Sequence, residues 1–251
     1  MIQKKIAIIL ASLLLLTSCA ATEPEPLSTL SQYETQKLKW RDCYGNYQCS
    51  SLLVPIDYAD LSVGAFSLSL LRYQALDQDR RIGSLVVNPG GPGSSGVDYA
   101  YSAEYIVSPE ILERFDIVGF DPRGVGESAA IKCLNDAETD ASFAADPKPD
   151  DEADFALFVS DARDYFAKCA ENTKHLTNYS SLNSARDLEI LRAVLGDEKL
   201  NYLGKSYGTY LGTLYAELFP ENVGRFVLDG AVDPYCSNSE AVLGQAIGFE
   251  S

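Results

Sequence analysis

The chain has 251 residues, 46% of them hydrophobic and 22% charged, which is the composition of a soluble globular protein long enough to bury one large core. Its formal net charge of −16 argues against a nucleic-acid binder, because a phosphate backbone is met by a basic face. So acidic a surface serves solubility first, with attraction of cationic peptides as a secondary reading.

The N-terminus reads as a processing segment. Lys4 and Lys5 form a basic start, and Ile6 to Leu16 is an apolar run too short to span a bilayer. Leu16-Thr17-Ser18-Cys19 resembles a bacterial lipobox. That resemblance implies a signal peptide over residues 1–18 and acylation of Cys19; an ordinary secretory signal cleaved nearby is the alternative. Residues 19–39, with Pro24 and Pro26, then form a lipid anchor and tether. The expected product is an exported cell-envelope lipoprotein, held to the bilayer through Cys19, with a domain over residues 40–251.

Export makes disulfides plausible. With Cys19 used for the lipid, five cysteines remain. Cys43 and Cys49 are close in sequence, and Cys133 and Cys169 bracket one insertion, so they are expected to pair in that way. Cys236 is left over. The cysteine spacing offers no metal ligand set, and no cofactor is expected.

Ser51 to Tyr58 and Phe66 to Tyr73 read as an antiparallel hairpin, with Gly64 marking the turn. Gly83 to Asn88 is a short, continuous apolar strand of the kind buried on both faces. Pro89-Gly90-Gly91-Pro92-Gly93-Ser94-Ser95-Gly96 follows at once. Four glycines and two prolines in eight residues leave backbone N–H groups bare, as an oxyanion hole requires. A plain glycine-rich turn is the alternative; the Gly-Lys-Ser/Thr ending of a phosphate loop is absent. Val97 to Val107 is expected to be a helix.

Phe115 to Asp121 is the next strand, and Pro122 to Ser128 the loop at its carboxyl end. Asp121 and Arg123 are expected to fix this loop as a charged, hydrogen-bonded pair, with a catalytic role as the alternative. Asp136 to Asp154 is an acidic surface insertion. Phe155 to Glu171 is helical, with Phe155, Phe158, Val159, Ala162 and Phe166 at helical spacing. Ser184 to Leu195 is a second helix, stopped by Gly196.

Lys199 to Leu203 leads into Gly204-Lys205-Ser206-Tyr207-Gly208, a G-x-S-x-G pattern between a strand and a helix-like run ending near Phe219. In that context the serine sits on a sharp, strained turn, with its hydroxyl exposed at the start of a helix, and glycine is wanted two residues to either side. The alternative is an ordinary strand-to-helix turn whose serine caps the helix. Arg225 to Asp229 is a further strand, and Ser239 to Ser251 begins another helix. Strands alternating with helices after an entry hairpin argue for an α/β fold with a mostly parallel sheet. All three special loops (89–96, 121–128 and 204–208) then fall at the carboxyl ends of strands, where such sheets carry their sites.

Four ordered segments carry a resemblance: Val87-Asn-Pro-Gly-Gly-Pro-Gly93, Asp116 to Ser128, Asn201-Tyr-Leu-Gly-Lys-Ser-Tyr-Gly-Thr209 and Val227 to Pro234. From about Trp40 onward the chain is similar to secreted α/β-hydrolases of the tripeptidyl aminopeptidase and prolyl aminopeptidase group. The resemblance implies an α/β-hydrolase fold and a serine exopeptidase that removes short units from peptide N-termini. It makes Ser206 the nucleophile and gives the oxyanion donors as the N–H of Tyr207 and one from the Gly90–Gly91 loop, with Gly91 preferred. Catalytic domains of the family continue with a helical cap, then strands bearing the catalytic Asp and His. Residues 239–251 are therefore expected to begin the cap, and the C-terminal strands to be missing.

A serine hydroxyl needs a base, and this fold orders its triad as Ser, then Asp or Glu, then His. The sequence holds one histidine, His175, ahead of Ser206, which reads as a loop residue. Asp229 and Asp233 sit at a strand end and read as structural, with an acid role as the alternative. The chain is thus expected to be an N-terminal fragment of an exopeptidase. An esterase on the same fold, or an inactive lipid-anchored binding protein, are the competing functions.

Overall fold

The structure, a computed structural model, describes residues 24–250; the signal segment and Cys19 lie outside them. In chain order the elements are α1 (Leu30–Thr35), β1 (Arg41–Asp42), β2 (Tyr47–Pro55), β3 (Ala65–Tyr73), β4 (Gly83–Asn88), α2 (Gly96–Tyr101), α3 (Ala103–Ile106), α4 (Pro109–Arg114) and β5 (Phe115–Phe120). They continue with α5 (Asp136–Ala144), α6 (Glu152–Asn172), α7 (Ser181–Leu195), β6 (Leu200–Lys205), α8 (Tyr207–Leu218), β7 (Val223–Asp229) and α9 (Asn238–Phe249).

The strands form a sheet of order β1-β2-β3-β5-β4-β6-β7. β1, β2, β3 and β5 pair antiparallel in turn; β5, β4, β6 and β7 pair parallel. The chain steps from β4 to β5 on one side and returns to β6 on the other. The loops after β4 and β6 therefore leave the sheet side by side, with Asn88 in register with Gly204. That crevice is the switch point at which α/β sheets bind ligands.

Side chains alternate across the strands, so the sheet has two cores. Val86, Val118, Phe120 and Tyr202 face α1, α7 and α8 in the larger one. Val87, Ile117 and Leu203 face α2, α3 and α4 in the smaller. Near-continuous burial of β4 and β5 matches their largely apolar sequence, and their polar residues Ser84, Asn88 and Asp116 are buried as well. α7 starts before the expected Ser184, where Ser180 accepts from the Asn183 amide, and stops at Gly196 in the left-handed region (φ 77°), as its sequence predicts.

Three expectations need correction. The tether expected to reach residue 39 is part of the domain: Tyr33 on α1 is fully buried, and Gln36 exchanges hydrogen bonds with both backbone groups of Leu53. The helix expected over Val97 to Val107 is broken at Ser102 into α2 and α3. The insertion expected on the surface is there, and it includes a helix, α5, that buries none of its residues. Asp121 and Arg123 do not pair with each other. Asp121 accepts from the Ser95 hydroxyl and the Val97 amide. Arg123 pairs with Asp187 on α7. A charge on an amphipathic helix reads as solvent-facing, which is why Asp187 was not legible.

Cys43 is bonded to Cys49 and Cys133 to Cys169. Cys236 is free.

Candidate active site

Ser206 joins β6 to α8 with φ 52° and ψ −123°, a backbone region that a residue with a β-carbon enters only under strain. Several contacts hold it there. The Ser206 amide donates to the Asp229 carbonyl at 2.9 Å. The Ser206 carbonyl accepts from the Thr209 hydroxyl at 2.7 Å, and that hydroxyl in turn accepts from the Val232 amide at 2.9 Å. The turn is thus clamped by the segment following β7. Its side chain stays exposed.

The flanking glycines are required by close approach. A β-carbon on Gly204 would stand 2.5 Å from the Gly208 carbonyl oxygen, and one on Gly208 would stand 2.8 Å from both oxygens of Asn88. Beneath the turn, buried Tyr202 donates its hydroxyl to the Gly208 carbonyl at 2.8 Å. Burial pushes the Tyr202 phenol well above its ordinary pKa.

The glycine-rich loop after β4 lies directly against this turn. A β-carbon at Gly90 would collide with the Lys205 carbonyl and lie 3.0 Å from both the Tyr207 nitrogen and the Ser206 Cβ. Gly90 and Gly91 have φ of 96° and 105°, which favour glycine. The Gly90 amide donates to Asn88 Oδ1 at 3.0 Å, inside the protein. Gly91 is exposed. Tyr207 opens α8, where a helix leaves its first amides without intrahelical acceptors. Asn88, 1% exposed, is the residue whose part here the sequence reading missed. Its place in the Asn-Pro-Gly-Gly run was the available signal.

Charged neighbours frame the turn. Lys205 Nζ lies 3.3 Å from Asp229 Oδ2 with both side chains substantially exposed. Hydrogen bonding to Asp229 raises the Lys205 pKa. The Tyr207 hydroxyl shares a hydrogen bond with the Ser181 hydroxyl at 2.7 Å, which ties the turn to α7. α7 is fixed in turn by Arg123. Its guanidinium holds both Asp187 oxygens (2.8 and 2.6 Å) and donates to the carbonyls of Pro55, Ile56 and Asn178. Tyr58 completes the network with a 2.7 Å bond to Asp187.

The structure therefore brings Gly90 against Ser206 and Tyr207, with Gly91 next along the same loop. His175 stands apart: it occupies a left-handed turn (φ 56°) and makes no hydrogen bond to Ser206. Asp233 accepts from the Tyr235 amide in its own turn. Among the described residues no cluster of His, Cys, Asp and Glu could hold a metal.

A strained, exposed serine beside a glycine-rich loop is an arrangement for nucleophilic attack with oxyanion stabilisation, and comparison with known proteins points the same way. A family model described as alpha/beta hydrolase fold matches residues 83–250. The serine protease Hip1 of Mycobacterium tuberculosis is 40% identical over 228 residues, covering 86% of this chain and 43% of the relative. The tripeptidyl aminopeptidase of Streptomyces coelicolor is 40% identical over 225 residues, covering 85% and 42%. Carboxylesterase B of Mycobacterium tuberculosis is 42% identical over 209 residues, covering 81% and 40%. The chain thus spans less than half the length of these relatives.

Proposed function

The chain belongs to the α/β-hydrolase family, and from that premise we propose that it carries the nucleophile and oxyanion half of a serine exopeptidase releasing short units from peptide N-termini. The observation that carries this reading is the strained, exposed Ser206 against the Gly90–Gly91 loop.

In the proposed reaction Ser206 Oγ attacks the carbonyl carbon of the scissile amide. The hydroxyl proton passes to a base and then to the leaving amine, and water later releases the acyl group from Ser206. The oxyanion accepts from the amides of Tyr207 and Gly91. Gly91 is preferred over Gly90 because the Gly90 amide is already bonded to Asn88. The base and its orienting carboxylate are assigned to polypeptide equivalent to the uncovered part of the relatives, since His175 does not reach Ser206 by a hydrogen bond. In this reading residues from Leu27 onward form the N-terminal portion of the catalytic domain. α9, which exposes Val242, Leu243, Ile247 and Phe249, begins the cap.

Export and acylation at Cys19 are part of the proposal. Two disulfides support an oxidising compartment. Incorporation of labelled palmitate that Cys19→Ser abolishes is the expected result; unchanged incorporation would remove the anchor.

The test of the catalytic reading is labelling by a fluorophosphonate probe, mapped by mass spectrometry, together with turnover of tripeptidyl, prolyl and acyl-ester reporters. Labelling at Ser206, lost in Ser206→Ala, is expected. Labelling elsewhere, or none at any probe concentration, would favour a non-catalytic binding protein. An esterase is the second reading, favoured by the 42% identity to carboxylesterase B, and an ester-only profile would select it.

A further inference from the structure

α6 is 21 residues long, yet Cys169 is its one buried residue. Its aromatic side chains Phe155, Phe158, Tyr165 and Phe166 are exposed. Isolated helices are marginal in water. This one is held by its ends: Asp151 caps the start, and the bond from Cys169 to Cys133 secures the finish. Lys168 bonds Glu138 on α5 at 2.6 Å, setting the two helices beside each other.

Between α5 and α6 runs a groove of about 940 Å³, the scale of a ligand cleft. Leu157, Phe158, Tyr165 and Phe166 line its floor. Glu138, Asp146, Asp154, Asp161 and Asp164 line it as well, against Lys148 and Lys168. With Lys168 joined to Glu138, the described residues lining the groove leave Asp146, Asp154, Asp161 and Asp164 against Lys148, whose backbone amide bonds Asp146. Apolar surface bordered by uncompensated negative charge suits lysine and arginine side chains. Their stems lie on apolar surface, their heads meet carboxylates, and exposed aromatic faces attract cations.

The insertion is rooted at the catalytic end of the sheet. It leaves from the carboxyl end of β5 and returns to α7, whose first residue, Ser181, bonds Tyr207.

We propose that the α5–α6 groove is a docking site for cationic amphipathic peptides, presenting them to the end of the sheet that carries Ser206. This names a substrate class for the hydrolase reading and rests on that reading only for the peptide's being a substrate; docking itself does not need Ser206 to react.

The test uses the full chain carrying Ser206→Ala, so that bound peptide is not consumed. Fluorescence anisotropy would follow a labelled peptide of interspersed Lys and Leu, with Glu/Leu and Lys/Ser peptides as controls. The Lys/Leu peptide is expected to bind at least about tenfold tighter than either control, and to weaken as salt shortens the screening length. Asp161→Lys with Asp164→Lys, both exposed, is expected to lower its affinity by roughly tenfold with helical circular dichroism unchanged. Phe158→Ser is expected to reduce discrimination between the Lys/Leu and Lys/Ser peptides. Equal binding of all three peptides, or full affinity in the charge-reversed variant, would overturn the proposal. Failure of docking while wild-type Ser206 still labels would sink the groove alone. Docking without labelling would sink the hydrolase reading alone.

Discussion

The backbone amide of Ser206 donates to the carbonyl of Asp229 at 2.9 Å, so the serine's own N–H is spent on holding the turn. Asn88 spends the amide of Gly90 in the same way. In the proposed mechanism the oxyanion is therefore left to the amide of Tyr207, which opens α8, and that of Gly91. The division has a mutational consequence. Gly90→Ala would drive a methyl group into the Lys205 carbonyl at φ 96°, and should cost about 1–3 kcal/mol. Denaturant unfolding measures the loss, and fluorophosphonate labelling should fall with it. A Gly90→Ala protein of full stability and full reactivity would mean that the loop does not seat on the turn.

Strain at Ser206 should itself be measurable. Replacing it by alanine keeps the β-carbon and the strain, whereas glycine accepts φ 52° freely. Ser206→Gly is therefore expected to be more stable than Ser206→Ala by about 1 kcal/mol. Both should be unreactive toward the probe. Equal midpoints of unfolding for the two variants would show that the turn stores no strain.

The Arg123–Asp187 pair has both side chains 0% exposed. Removing one partner strands the other charge, so Asp187→Ala should destabilise the protein by about 3–5 kcal/mol. A double change of Arg123→Met and Asp187→Leu should cost much less than the sum of the two single ones. Strict additivity in that cycle would deny the coupling.

This pair also marks where sequence reasoning ended. The runs Gly83–Asn88 and Phe115–Phe120 announce buried strands, because a strand covered on both faces is mainly apolar; the polar residues they do carry, Ser84, Asn88 and Asp116, are buried and hydrogen-bonded. The Ser206 turn was legible because its glycines are dictated by backbone contacts a few residues away. Asp187 was not, since helical periodicity is carried by Leu188 and Leu191 and says nothing about an acid beside them. Nor was α1, whose six residues bury only Tyr33. α5 has no apolar stripe to betray it and buries none of its residues. The preference for Gly91 over Gly90 rested on the resemblance, and the bond from the Gly90 amide to the Asn88 side chain was not legible in the sequence.

Alkaline pH should unfold the protein through its buried and half-buried tyrosines. Tyr58, Tyr202 and Tyr215 have phenol pKa values raised, first of all by burial. A raised folded-state value means that their contribution is complete below the unfolded value of 10.0 and is lost as pH climbs above it. Stability should fall from about pH 10 upward. Ionisation of these three should coincide with unfolding, so their share of the tyrosinate absorbance should rise together with the loss of circular dichroism. A single smooth titration with intact circular dichroism would contradict this, because Tyr202 could then ionise beneath the serine turn without disturbing Gly208.

The Cys133–Cys169 bond should support α6 far more than it supports the sheet. The two cysteines are 36 residues apart, and closing such a loop restricts the unfolded chain by about 4 kcal/mol in the entropic account. α6 has little else: it buries one residue, and that residue is Cys169 itself. The sheet, by contrast, rests on two cores to which α6 contributes no buried side chain. Replacing both cysteines by serine should therefore free the α6 amides to exchange hydrogen within the fast range while amides of β4, β5 and β6 stay protected. Far-ultraviolet circular dichroism should lose about one long helix, and the groove between α5 and α6 should lose its peptide affinity with it. Removing the Cys43–Cys49 bond, which spans 6 residues at the far edge of the sheet, should leave α6 protected. If the double serine variant instead unfolded everywhere at once, the insertion would be part of the core's cooperative unit, and the groove could not be studied apart from the serine turn.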